Sequence, residues 1–181
     1  MGSLYAERVR RIARPRVGLL SNGEEAGKGN QLVREAYPLL AASGLNFIGN
    51  IEGKELLGGE ADVVVTDGFT GNLMLKTAEA VARLITDVMR EKIMSGSPLT
   101  KLGGALVRPA LSSLRQLLDP SEEGAAPLLG VNGLVFIGHG RSDAQAIKNA
   151  IRVARNAAEA GVVDSIRQAM AQTAAPAPAA A

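Results

Sequence analysis

Short apolar runs alternate along this chain with longer segments whose apolar residues recur every three or four positions. The first spacing is that of buried strands and the second that of amphipathic helices, so the pattern predicts an α/β protein. A helix is expected over 1–13, broken by Arg14-Pro15-Arg16, and then a strand over 17–20. Asn30 is placed to cap a helix over 31–42, which Gly44 stops. A strand over 45–48 should end at Gly49-Asn50, and a loop with one helical turn should fill 51–59 before a strand over 61–66. After Gly71, Met74, Ala78, Val81, Ala82, Ile85, Val88 and Met89 keep one helical face, until Ser95-Gly96-Ser97-Pro98 closes it. Residues 100–118 carry a second helical stripe, interrupted by Gly103-Gly104 and Pro109. Runs at 127–131 and 134–138, joined by Asn132-Gly133, predict a β-hairpin. Ser142 or Asp143 should cap a last long helix to about Ala160, and Gly161 should separate it from a short final one. The Ala/Pro tail, 173–181, has too little to bury to fold, which leaves one domain over 1–172.

Three of these strands run straight into glycine-containing loops followed by helices. They are 17–20 into SNGEEAGKGN, 61–66 into DGFTGN, and 134–137 into GHGRSD. Such a unit turns backbone N–H groups and a helix N-terminus toward an anion. Three of them predict one pocket at one edge of a sheet, where α/β folds hold ligands.

Composition narrows the chemistry. The 181 residues suffice for one domain with a core. Three Phe, two Tyr and no Trp leave that core to Leu, Val, Ile and Ala, which suits buried strands and Ala-rich helices. A net charge of +2 gives no general attraction to nucleic acid. The absence of cysteine removes thiolate nucleophiles, disulfides and cysteine metal sites. Apolar runs too short for a bilayer, and no secretory h-region, point to an intracellular protein.

Two nucleotide motifs fail. GEEAGK (23–28) has three residues between its glycines where a P-loop needs four, and Gly29 follows the lysine in place of Ser or Thr. GHGRSD has Asp143 where a dinucleotide fingerprint needs its third glycine. His139 is the sole histidine, so a multi-histidine metal site is impossible, and the spacing of Asp67, Glu52, Glu24 and Glu25 demands no metal. No cofactor is called for. What remains is a polar set at expected strand ends: Asn22, Lys28, Asn30, Asn50, Glu52, Asp67, Asn72, Lys76, Asn132 and His139. Each has a structural alternative. Asn30 suits a helix cap, Asn132 and Asp67 suit turns, Lys76 a solvated helix face, and His139 a satisfied structural group.

The strings RPRVGLLSNGEEAGKGN, LNFIGNIEGKEL, ADVVVTDGFTGNLMLKT and APLLGVNGLVFIGHGRSDAQAIKNAI resemble, in order, the C-terminal half of the bacterial phosphate acyltransferase (PlsX) family. The resemblance covers about 1–155. It implies a Rossmann-like three-layer α/β/α sandwich, similar to isopropylmalate dehydrogenases and phosphotransacetylases. Here that sandwich would lack its first half, and a helical hairpin over about 71–118 would protrude from it. It also implies transfer of a fatty acyl group from acyl carrier protein to inorganic phosphate, giving acyl phosphate for a downstream membrane glycerol-3-phosphate acyltransferase. A cytoplasmic homodimer that touches the inner membrane surface would do this. An inactive or dimerisation-only fragment, and a phosphotransacetylase using acyl-coenzyme A, are the alternatives.

Phosphate is itself the nucleophile in such a reaction, so positioning and electrostatics carry it. Lys28 and Lys76, with the amides of Gly27, Gly29, Gly68 and Gly71, are assigned to phosphate beside Asn30, and Asp67 is counted with Lys76, Asn72 and His139 as catalytic. Asn72 or Asn50 is assigned to the thioester oxyanion, His139 to proton transfer or phosphate orientation, and Glu52 and Asn132 to substrate contact. The stripe Leu99, Leu102, Leu106 and Leu114, flanked by Lys101, Arg108 and Arg115, suits either anionic lipid or a partner subunit.

Overall fold

The computed structural model of the chain describes residues 1–117, 122–140 and 142–173; the side chains of 57, 108–117 and 173 lie outside that description. The tail expected beyond 173, and Arg141 of the GHGRSD loop, also lie outside the described residues. Strands β1 (Val17–Leu20), β2 (Phe47–Ile51) and β3 (Val63–Val65) form a parallel sheet in the order β2-β1-β3. Every residue of central β1 is buried, as a parallel strand covered on both faces should be. Helix α2 (Gln31–Ala41) packs on β1 and β2, and α1 (Gly2–Val9) packs on β3. The chain is therefore a mixed α/β protein.

Helix α1 stops at Val9, short of the expected 13. Arg11 and Arg14 take φ of 61° and 50°, which an α-helix does not allow, and this turns the chain into β1. Strand β2 runs through Gly49-Asn50, which sequence reading placed beyond its end. Pairing with β1 decides this: Leu19 stands opposite Asn50 and Leu20 opposite Ile51, and Ile51 packs over Gly18, where a Cβ would meet it at 2.9 Å. Gly49, at φ 96°, absorbs the irregular register. The turn expected in 51–59 is α3 (Gly53–Gly58).

Helix α4 (Gly68–Ser95) begins three residues earlier than expected, so Gly68 and Gly71 lie in its first turn and not in a loop. Asp67 is its cap, accepting from the Thr70 N–H at 2.9 Å. Only Gly96 and Ser97 separate α4 from α5 (Pro98–Leu117), and a Cβ on Gly104 would collide with Ile93.

The second half supplies β4 (Ala125–Pro127) and β5 (Phe136–Gly138), which pair antiparallel in a separate two-stranded sheet. The expected hairpin forms, but with its pairing moved away from Asn132-Gly133. Leu128 N–H still reaches the Val135 carbonyl at 2.8 Å, and the apolar residues beyond it leave the ladder. They line a small cavity with Tyr5 of α1 and with Val162 and Ile166 of α7 (Val162–Thr173). Arg167 fixes the loop by donating to Asn132 Oδ1 at 2.8 Å. Helix α6 (Ala144–Glu159) starts at Asp143, whose carboxylate accepts from Ala146 N–H at 2.8 Å, so Asp143 and not Ser142 is the cap. Buried residues gather in two places: Val17, Leu19, Leu20 and Ile51 in the sheet, and Ala6, Ala146, Ala157 and Val162 among α1, α6 and α7.

Candidate active site

Parallel strands end together, so the residues following β1, β2 and β3 share one edge. Loop 21–30 leaves β1 there. It is held to β2 by Asn50 Nδ2, which donates to the Glu25 carbonyl at 2.8 Å. Inside the loop, Lys28 N–H donates to that same carbonyl at 2.9 Å. Gly29, at φ 99°, lies against Val33 and the Ser21 hydroxyl so closely that a Cβ would strike the valine. Asn30 caps α2 by accepting from Val33 N–H at 2.9 Å, which is its structural reading.

The charges at this edge sort themselves locally. Lys54 meets Glu24 and Glu52 at 3.0 Å each and Glu55 at 3.4 Å. Hydrogen bonds to Glu52, then Glu24, raise the pKa of its ammonium, which is spent on its own carboxylates. Glu55 accepts from the Glu52 N–H at 2.8 Å, and that bond foremost holds its carboxyl below the ordinary value. The bonds from Thr70 likewise hold the Asp67 carboxyl down. Lys28 makes no ion pair among the described residues, which leaves its exposed ammonium as the cation this edge can offer an anion.

Of the α4 assignments, Gly71 N–H is taken by the Asp67 carbonyl at 2.9 Å, and Thr70 N–H by the Asp67 carboxylate. Gly68 stands at the open first position of the helix. Asn72 is exposed on the second turn, and Lys76 pairs with Glu79 at 3.2 Å on the helix surface. The parallel edge thus brings together 27–30, Asn50, Glu52 and Asp67-Gly68. It does not include the third loop. His139 follows β5, in the other sheet, where its carbonyl accepts from Ser142 Oγ at 2.7 Å. Asn132 likewise belongs to the β4–β5 loop. The side chains of Arg108, Leu114 and Arg115 lie outside the described residues, while Leu99, Leu102 and Leu106 are exposed.

A family described as "Fatty acid synthesis protein" matches residues 1–165. The chain belongs to this family. Among its relatives, the "Phosphate acyltransferase" of Thermus thermophilus is 54% identical over 93% of this chain and 51% of its own length. That of Pelotomaculum thermopropionicum is 52% identical over 92% of this chain and 48% of its own. That of Elusimicrobium minutum is 46% identical over 95% and 50%. The chain spans about half the length of the curated relatives it matches. Within this family member, sequence reading passed over Ser21 and Lys54. The signal for Ser21 was its place one residue past a fully apolar strand, in step with Leu19.

Proposed function

We propose that the chain forms part of an acyltransferase that moves a fatty acyl group from acyl-[acyl carrier protein] to inorganic phosphate, yielding acyl phosphate for phospholipid synthesis. The carrying observation is its identity of about half with proteins named phosphate acyltransferase, sustained over nine-tenths of its length. The parallel edge supports the reading physically, because it holds a glycine loop, a helix start and a lysine, Lys28, that makes no ion pair among the described residues. In this reaction a phosphate oxygen attacks the thioester carbonyl and the carrier thiolate departs. The protein's task is to hold the anion near Lys28 and Gly27 and to exclude competing water. Gly68 at the start of α4 adds dipole charge. Asn72 is assigned the oxyanion role and His139 proton transfer or phosphate orientation from the chemistry of their side chains, with Lys76 as a further phosphate contact.

The same reading takes the parallel sheet with its covering helices as part of a three-layer Rossmann-like sandwich over 1–172. It takes α4 and α5 as a hairpin meeting a second subunit or an anionic membrane surface of the cytoplasm. The test is an assay of acyl phosphate, trapped with hydroxylamine. The chain is supplied with phosphate and acyl-carrier protein, alone and with a polypeptide providing the other half of a relative. Product from the carrier-protein donor supports the reading. Product from acyl-coenzyme A only would replace it with a phosphotransacetylase, and none from either, in the mixed sample, would leave a dimerisation role.

A further inference from the structure

Two buried polar atoms at the parallel edge have no hydrogen-bond partner among the described residues: Ser21 Oγ and Asn50 Oδ1. Asn50 is only 5% exposed. They belong together by the pleat. Leu19 pairs with Asn50, and alternation puts Ser21 on the face of Leu19, while Ser21 N–H extends the ladder to the Ile51 carbonyl at 2.9 Å. One loop roofs both, through Glu25 on Asn50 and Gly29 on Ser21. The amide of Asn50 is oriented by its bond to the Glu25 carbonyl, since a flipped amide would set oxygen against oxygen. The unmatched atom is therefore an acceptor, and beside it stands a hydroxyl that can donate. A buried acceptor without a donor is costly, and such a cost is kept where a ligand removes it.

We propose that Ser21 and Asn50 are the specificity-determining pair for a protonated oxyanion. The Ser21 hydroxyl donates to a P–O⁻ oxygen, and Asn50 Oδ1 accepts the hydrogen of the P–OH group of hydrogen phosphate. This rests on the phosphate-using reaction proposed above and adds which form of the anion is selected. Sulfate at neutral pH has the same shape and charge but no hydrogen, and it would set a lone pair against Asn50 Oδ1. Entry requires loop 21–30 to lift. Beyond Ser21, whose N–H stays on the β2 ladder, its ties across the edge among the described residues include the Asn50–Glu25 hydrogen bond and the exposed Lys54–Glu24 ion pair, and exposed pairs hold weakly. Lys28, on that loop, follows the anion in.

Equilibrium dialysis of the full chain with labelled inorganic phosphate tests this, using Ser21→Ala and Asn50→Leu and unlabelled sulfate as competitor. Ser21→Ala should weaken phosphate binding roughly tenfold. It should also melt at or above the wild-type temperature, because it deletes an unmatched buried hydroxyl; a residue that only supported the fold would lower the melting point instead. Asn50→Leu should weaken phosphate and lose the discrimination against sulfate. Wild-type phosphate affinity in Ser21→Ala overturns the proposal, as does equal displacement by sulfate or a wild-type chain that takes up no phosphate. If both variants bind phosphate normally while the chain, assayed with the other half of a relative, still makes acyl phosphate, the pair is wrong and the reaction stands. Uptake through Ser21 and Asn50 without acyl transfer removes the reaction and leaves the pair.

Discussion

Gly29 shows what one residue decides at this edge. Its φ of 99° admits few side chains, and a Cβ there would strike Val33. Gly29→Ala should cost about 1–3 kcal/mol in urea unfolding. Gly27→Ala, with open space around it, should stay within about 0.5 kcal/mol. Asp62 offers a second test. Its hydrogen bonds with Arg16, at 2.8 to 2.9 Å, hold its carboxyl at about 2, below the ordinary 3.8. A carboxylate held down in the folded state stabilises it above pH 3.8 and loses that contribution as the pH falls through 2. Urea midpoints should therefore drop between about pH 4 and 2 more steeply in wild type than in Asp62→Asn. Asn30 as a helix cap was legible from residue type alone. Arg16–Asp62 was not, because 46 positions separate two residues that only the sheet joins.

Elements were legible where their causes are local. Asn30 and Asp143, both read as candidate caps, each cap a helix with the side-chain oxygen that the N-cap position favours, and Asp67, read as a turn residue, does so too. Asn30→Ala and Asp143→Ala should each cost about 1 kcal/mol, and the double variant about their sum, since they cap separate helices. A measured coupling beyond the error of urea unfolding would contradict that independence. The end of β2 and the site of hairpin pairing were not legible, because each depends on a partner. Gly49-Asn50 reads as a turn until β1 lies beside it. Residues 128–131 and 134–135 read as strand on either side of the Asn132-Gly133 turn until α1 and α7 offer them a cavity wall. Gly124 is another such partner effect. A Cβ there would run into the backbone of α6 at Ala146 and Ala150, so Gly124→Ala should unseat β4 from α6 and lower the melting temperature by several degrees.

At the scale of the whole molecule, Leu99, Leu102 and Leu106 remain exposed along α5, with Leu73 and Leu84 exposed on α4. Apolar surface of that extent is usually covered in the working state. Leu102→Glu with Leu106→Glu should reduce sedimentation with anionic vesicles several-fold and leave the far-ultraviolet spectrum unchanged. A wild-type chain with no lipid dependence would leave subunit packing as the role of this face. Among the described residues no helix is long and apolar enough to cross a membrane.

The chain's own order of residues determined the α/β class, the caps at Asn30 and Asp143 and the glycine loop after β1, because periodicity, capping and turn chemistry act over a few neighbouring positions. It also carried the family, through strings that relatives share at about half of all positions. Tertiary structure decided which loops share an edge. The first and third strands lie in one parallel sheet, whereas the loop holding His139 follows a strand of another, and no local pattern states which strands will pair. It decided, too, that Ser21 and Asn50 stand together, 29 positions apart in sequence, because parallel register and the pleat set that neighbourhood.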